Sequence, residues 1–532
     1  MTPHHPLVHR VPPPDDLPKD HHGPPPSTSA SSGYIALPNG SSGLLKPRYF
    51  QNPWKSWRNP SLTDAWIAYQ KGAAIALPLH KTARTAKRSF GTEQNGTIPG
   101  NEPSYDHEEG PEGRLEEDEV EYDPRDPDGA IRETRLYPIP SRTYVRPELS
   151  LVHEDDEESD WADPPLQVVT PQWERQSNVD VTWLGHASVL VRVPWKETGA
   201  QRKEEACGIL FDPIFSYRCS PSQWVGPARY LEPPCSIADL PPIHVVCISH
   251  DHYDHLDYYS IIDLWKYHSA TIHYFVPFGL AQWFVSSGIP EDRVTELDWW
   301  HETILSFPSP ASAPSTSQRR PPTPGADKSA ALNLKVVFTP GQHRTGRGLR
   351  DHMTTLWGSW CVGVVDDKEA ERAEERGMKD WSGFKLFFGG DTGYRYATAP
   401  EDDQDAVCPA FQQISDLYGP VSFALLPLST GSSLPFLRNI LSLSLDQYTL
   451  TSSQHCSPGD ALEIHRIMQS ERTLGIHWGT FCDSDEARGT RVTFGRERRA
   501  RGVSGNWTGD EDGARGKGRF VTANIGETLI LP

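Results

Sequence analysis

Basic side chains are the minority in this chain: 51 Lys and Arg stand against 71 Asp and Glu in 532 residues, a formal net charge of −20. A nucleic-acid binder draws most of its affinity from Lys and Arg placed on phosphates, so the missing basic stripe disfavours a nuclease. Also missing is any run of about 18 apolar residues that could span a bilayer. The first residues, MTPHHPLVHRVPPPDD, have no apolar stretch of the kind a secretory signal needs, and an intracellular protein is expected. The eight cysteines, at 207, 219, 235, 247, 361, 408, 456 and 482, include no C-x-x-C pair. That spacing indicates neither a thiolate zinc finger nor a disulfide framework, and reduced core thiols are the simplest reading. Hydrophobic residues are scarce, at 36%, beside 49 Pro and 42 Gly, so part of the chain is not expected to fold.

The charge is concentrated. Residues 101–160 carry 21 acidic and 6 basic side chains, a net of −15. Composition divides the chain into a disordered Pro/His/Ser/Gly tail at 1–48, an arm at 49–81, an acidic low-complexity linker at 82–170 and a folded domain at 171–532. A Pro/Ser-rich insertion at 308–330 interrupts that domain. The arm holds the aromatic stretch YFQNPWKSW and a helix-like DAWIAYQKGAAIALPL, and is expected to pack on the domain. Within the domain VDVTWL, SVLVRV, GILFDP, IHVVCIS, TIHYFVP, LKVVFTP, TLWGSWCVGVV, KLFFGG, VSFALLPL, LGIHWG and TLIL read as strands. DYYSIIDLWKYH, GLAQWFVSSG, AFQQISDLY and PGDALEIHRIMQS read as helices, the last opening on Pro. Two strand sets with interspersed helices give a layered α/β domain.

Chemistry gathers in IHVVCISHDHYDHLD, a strand running into a loop with His250, His252, Asp254 and His255. Imidazoles at alternate positions of an extended segment point the same way, and the Asp-His pair can turn to a second centre. Further donors follow predicted strands: His343 in FTPGQH, Asp391 in GGDTG and His477 in GIHWGTF. Five imidazoles and two carboxylates suit two borderline divalent cations held without thiolates. Cations about 3.5–4 Å apart need an anion between them, and Asp391 is the candidate.

These motifs resemble the metallo-β-lactamase superfamily, and within it the N-acylphosphatidylethanolamine-hydrolysing phospholipase D family. The segments that carry the likeness are YFQNPWKSW, VTWLGHASVLV, DPIFSYRCSPSQWVGP, LPPIHVVCISHDHYDHLDY, TELDWW, LWGSWCV, GGDTGY, CPAFQQI and IHWGTF. The resemblance implies an αββα sandwich with metals at one edge and two zinc ions per chain, though the same donors accept iron or manganese. It implies one zinc on His250, His252 and His343, and a second on Asp254, His255 and His477, with Asp391 and a hydroxide between them. The implied reaction is hydrolysis of N-acylphosphatidylethanolamine to N-acylethanolamine and phosphatidic acid, with Asp254, Asp391 and His455 catalytic. Gln454, His455, Gln223, Trp224 and Tyr253 are the implied substrate contacts, while His186 in GHAS is read as supporting the site.

The implied partner is a phospholipid at a membrane surface, met by a cytoplasmic, peripherally attached enzyme with no transmembrane segment and no nucleic acid; a homodimer is compatible. The same fold acting on another phosphodiester or a lactone, and a scaffold without activity, are the competing readings. Leu434, Phe436, Leu437, Ile440, Leu441, Leu443 and Leu445 form an apolar run suited equally to an acyl groove, a membrane interface or the core. The acidic segment should be repelled by anionic lipid. Deleting residues 101–160 is expected to tighten sedimentation with anionic vesicles at low salt. Unchanged or weaker binding would show that the segment is no electrostatic brake.

Overall fold

The computed structural model describes residues 6–11, 21–22, 50–71, 166–173, 178–196, 206–308, 330–348, 351–376, 381–430, 446–508 and 518–532. The strands are β1 (Leu7–Val11), β2 (Asp180–Gly185), β3 (Ser188–Pro194), β4 (Ala206–Phe211), β5 (Ile243–Cys247), β6 (His273–Pro277), β7 (Val294–Leu297), β8 (Glu302–Pro308), β9 (Ala330–Thr339), β10 (Ser359–Val365), β11 (Lys385–Phe388), β12 (Phe423–Pro427), β13 (Arg472–Ile476), β14 (Arg519–Val521) and β15 (Thr528–Ile530). The helices are α1 (62–71), α2 (Tyr258–His268), α3 (Ala281–Ser286), α4 (Asp367–Arg376), α5 (Ala410–Tyr418), α6 (Gln447–Thr451), α7 (Pro458–Ile467) and α8 (Ser484–Ala500).

The strands form two sheets, ordered β15-β2-β3-β4-β5-β6-β7 and β1-β8-β9-β10-β11-β12-β13-β14. Alternation along each strand explains the layering. Val189, Val191, Val245, Cys247 and Phe275 face the core between the sheets, whereas Leu190, Val246, Ile248, Tyr274 and Val276 face a second core. Ile261 and Leu264 of α2 and Phe284 of α3 close that second core. Near-continuous apolar runs are what strands covered on both faces require. Phe211 stacks on Phe388 at 4.7 Å where the sheets meet. On the far face α5 and α7 cover the second sheet, completing the αββα sandwich. Helix α2 begins where Asp257 accepts the Ser260 amide, and α7 begins on a Ser457/Asp460 capping box with Pro458 just inside.

Strand direction positions the site. β4 and β5 run parallel, and β2 points the same way because two antiparallel pairings separate it from β4. In the other sheet β11, β12 and β13 are parallel, and β9 shares their direction across β10. The loops after β2, β4, β5, β9, β11 and β13 therefore all leave by one edge of the sandwich.

Several features depart from the sequence reading. Leu7–Val11, within the expected disordered tail, pair with β8. Both His21 and His22 bond the carboxylate of Asp298, at 2.6 and 2.7 Å. Leu166 and Val168, placed in the linker, pack on the main core, and Val168 bridges to Ile525. The charged stretch Ser484–Ala500, with no strong apolar period, folds into α8 behind an Asp483 cap. Residues 72–165, the 309–329 insertion and the apolar run 434–445 lie outside the described residues.

One buried ion pair ties the second sheet to its helical cover. Lys335 Nζ lies 2.6 Å from Glu302 Oε2, and the Tyr418 hydroxyl donates to Glu302 Oε1 at 2.7 Å. Breaking such a pair strands a charge in the core. Lys335→Met should cost about 3–5 kcal/mol of unfolding free energy in chemical denaturation. A loss under about 1 kcal/mol would show that Glu302 is relieved some other way.

Candidate metal centre

The loop after β5 brings His250, His252, Asp254 and His255 to the shared edge, where His343, Asp391 and His477 arrive from the second sheet. Two donor groups result, His250/His252/His343 and Asp254/His255/His477, the second joined by His186. Asp391 lies between them: Oδ1 is 2.8 Å from His477 Nε2, and Oδ2 is 3.3 Å from His255 Nε2 and 3.7 Å from His343 Nε2. His455 Nδ1 lies 3.6 Å from the same Oδ2. Sequence-remote residues thus converge on one buried carboxylate.

The outward nitrogens fix the ring tautomers. His343 Nδ1 faces the Gln454 carbonyl at 2.9 Å, His255 Nδ1 faces Asp212 Oδ2 at 2.7 Å, and His477 Nδ1 faces the Ser429 carbonyl at 3.3 Å. Each acceptor takes an N–H, so each Nε2 is turned inward, where its lone pair can hold a cation or, as at His255 without one, a second proton. His250 follows suit: its Nδ1 meets Ser249 Oγ at 2.9 Å, and that hydroxyl is itself donated to Asp212 Oδ2. His250 Nε2 and His343 Nε2 then both confront His252 Nδ1, at 2.9 and 3.2 Å. A single proton on His252 cannot serve both.

Four buried atoms at the same spot make no well-aligned hydrogen bond: His477 Nε2 and Asp391 Oδ1, despite their 2.8 Å separation, with His255 Nε2 and His455 Nδ1. Leaving such groups unpaired costs roughly 1–3 kcal/mol each. Imidazole and carboxylate donors without thiolate fit a borderline divalent cation, which would satisfy all of them at once. Burial, with His255, His343 and His252 nearby, holds His250 well below the usual imidazole range and keeps it neutral, the form that ligates. Burial would raise Asp391, but His477 and His255 hold it well below the carboxylate range. Burial opposes a charge on His255 too, yet Asp391 and Asp254 push it well above the imidazole range, so it takes a proton that a cation would replace.

The backbone is strained here. His186, Asp212 and His477 adopt positive φ of 51°, 37° and 59°. Non-glycine residues in that region cost about 1–3 kcal/mol each and concentrate at functional sites. Gly390, at φ 58°, precedes Asp391 where an added Cβ would meet Ser249 Cβ at 2.8 Å.

His186 Nε2 lies 3.0 Å from Asp254 Oδ2, against the donor group itself. Gln454 meets His343 through its main-chain carbonyl. The side chain of Gln223 is spent closing its own loop on the Arg218 backbone, and Trp224 is 93% exposed; neither belongs to the convergent donor set. Tyr253 packs with Ile214, Cys219 and Phe481 beneath the Arg347 guanidinium, 4.0 Å from its ring centroid. Missed on sequence grounds was Asp212, which orients both His255 and, through Ser249, His250. Its one signal was position, an acid directly after the strand GILF.

Asp212→Asn keeps the shape and removes the charge that holds two imidazoles. Loss of such an outer partner typically weakens metal affinity about 10–100-fold. Chelator competition on the purified variant checks this, and unaltered affinity would mean that the two rings hold their orientation without Asp212.

The comparisons with known proteins agree with this geometry. Residues 208–478, just over half of the chain, match the family model described as a Beta-lactamase superfamily domain. N-acyl-phosphatidylethanolamine-hydrolyzing phospholipase D 1 of Caenorhabditis elegans is 28% identical over 325 residues, 60% of this chain and 68% of its own length. An uncharacterized protein of Mycobacterium bovis is 30% identical over 324 residues, 60% of this chain and 63% of that protein. The mitochondrial N-acyl-phosphatidylethanolamine-hydrolyzing phospholipase D of Saccharomyces cerevisiae is 27% identical over 279 residues, 52% of this chain and 45% of the yeast protein. This chain thus spans between about half and two thirds of these relatives. With the matched domain, the αββα layers and the His/Asp donors at one sheet edge, the chain belongs to the metallo-β-lactamase superfamily, a fold that implies a divalent metal.

Proposed function

We propose that this protein is a metal-dependent phospholipase D that hydrolyses N-acylphosphatidylethanolamine to N-acylethanolamine and phosphatidic acid, with two zinc ions per chain. The observation that carries the reading is the set of inward lone pairs gathered around Asp391, in a chain similar to two relatives named for this reaction. His250, His252 and His343 would hold one ion, and Asp254, His255 and His477 the other, with Asp391 shared. Such a pair supplies water of lowered pKa, near 7, and neutralises charge building on a phosphoryl oxygen.

The chain's own residues do the rest. Asp212, Ser249, Ser429 and the Gln454 carbonyl keep the imidazoles aimed. His186 holds one oxygen of Asp254. Burial lowers His455 to about 4, so it is neutral at pH 7 and offers one hydrogen bond to a phosphoryl oxygen. Tyr253 and Gln454 border the donors, while Gln223 shapes the loop that presents Trp224 outward to lipid. Water adds to phosphorus and the bond from phosphorus to the ethanolamine oxygen breaks; that oxygen leaves as the hydroxyl of N-acylethanolamine. The incoming oxygen stays on phosphatidic acid. No helix among the described residues is long and apolar enough to cross a membrane. A cytoplasmic enzyme meeting its substrate at a membrane surface is part of this proposal.

Mass spectrometry of the products formed from N-acylphosphatidylethanolamine micelles in ¹⁸O water tests it. Label should appear in phosphatidic acid and not in N-acylethanolamine, and Asp391→Asn should lower the rate at least about 100-fold. Label in the alcohol, or an Asp391→Asn variant as active as the parent, would overturn the reading. Turnover of a soluble lactone or phosphodiester in preference to the lipid would point to the same fold serving another substrate.

A further inference from the structure

The matched domain begins at residue 208, yet a segment far upstream reaches the metal centre. Ser56 and Gln342 are both fully buried, and the Ser56 hydroxyl donates to Gln342 Oε1. Every polar group of Gln342 is engaged. Its side-chain amide donates to the Ser453 carbonyl at 3.1 Å, its backbone N–H to Thr392 Oγ1 at 2.9 Å, and its carbonyl accepts from the Gly393 amide at 2.7 Å. Those partners stand beside donors: Gln342 precedes His343, Thr392 follows Asp391, and Ser453 leads through Gln454 to His455. Gln342 therefore joins three loops that each carry a group of the centre, its side chain holding the Ser453 loop and its backbone the Asp391 loop.

Residues 50–58 grip the same joint directly. Asn52 Nδ2 donates to the His343 carbonyl at 2.8 Å. The Arg58 amide donates to Ser453 Oγ at 3.2 Å, and that hydroxyl donates back to the Arg58 carbonyl at 2.6 Å. The arm is itself anchored at both ends. The Phe50 amide donates to the Met353 carbonyl at 2.9 Å, and Trp54 stacks on Trp299 with centroids 5.4 Å apart. Beyond it, Asp64 accepts from Thr398 Oγ1 at 2.6 Å and from the Tyr396 hydroxyl at 3.0 Å.

We infer that Gln342 is a positioning residue for the metal centre and that the arm, through Ser56 and Asn52, completes it. The inference rests on the donor cluster being a metal site. The physical reason is that His343, Asp391 and His455 come from separate loops: a backbone bridge from Gln342 to Gly393 links the first two, whereas the loop of His455 is tied to them through the side chains of Gln342 and His343. The buried Gln342 amide fixes that second spacing, since moving the Ser453 loop or the arm would leave one of its polar atoms unpaired.

Zn²⁺ affinity of the full chain, measured by competition with a chromogenic chelator, tests this beside thermal unfolding of the metal-free protein. Gln342→Glu keeps the shape but cannot donate to the Ser453 carbonyl. Ser56→Ala removes the arm's hydrogen bond to Gln342, Asn52→Ala removes the one to His343, and Ser56→Thr retains a hydroxyl. Gln342→Glu, Ser56→Ala and Asn52→Ala should each bind Zn²⁺ about 10–100-fold more weakly. Ser56→Thr should bind like the parent and match its metal-free midpoint, whereas Ser56→Ala, which leaves Gln342 Oε1 buried without its donor, should also lower the midpoint while staying folded at the temperature of the titration. Parental affinity in Ser56→Ala and Asn52→Ala, or equal loss in Ser56→Thr and Ser56→Ala, would overturn the inference; should Gln342→Glu not fold, the arm variants decide. A parent chain that takes up no Zn²⁺ would fail the metal reading itself, a separate result.

Discussion

The carboxylate of Asp391 is a buried anion that four imidazoles approach, and most of the structure around the sheet edge serves to make that arrangement tolerable. Alone, neither the carboxylate nor the rings would stay dehydrated, because an unpaired buried charge or lone pair costs more than a typical hydrogen bond returns. Their mutual arrangement reduces the cost, and a divalent cation would remove most of it. Strained backbone at His186, Asp212 and His477 is the local counterpart. Such conformations persist where a well-packed frame over-determines them.

That frame is the pair of sheets. Because β2, β4, β5, β9, β11 and β13 all point one way, each donor needs only a short loop to reach the edge. The ring tautomers come from the layer behind the donors. Asp212, Ser249, Ser429 and the Gln454 carbonyl turn otherwise ambiguous imidazoles into directed lone pairs. The N-terminal arm enters at this level, bonding to the chain beside His343 and His455 rather than to the donors themselves. A segment outside the matched superfamily domain thereby bears on the geometry of its centre.

Much of this was legible in the residues. The alternation in SVLVRV and IHVVCIS marks strands because each face has a core to meet, and the H-x-H-x-D-H loop stands out because no structural demand produces it. His343, Asp391 and His477 could be picked out as lone donors after strands. Asp212 and Gln342 could not, since an acid or an amide in a loop has no period, and its role depends on partners hundreds of positions away or across a sheet. Trp224 shows the same limit: an aromatic in a family-like segment gives no sign of which way it turns, and this one is 93% exposed.

By itself the sequence determined the strand and helix texture, the metal-binding character and the acidic segment set apart from it, because periodicity, donor identity and charge are local properties. Only the tertiary structure decided that Leu7–Val11 close one sheet, that Asp391 lies between two donor groups, and that Gln342 joins three loops to the arm. Those are matters of which buried polar atoms meet, and burial with satisfied hydrogen bonding exists only once the chain has packed.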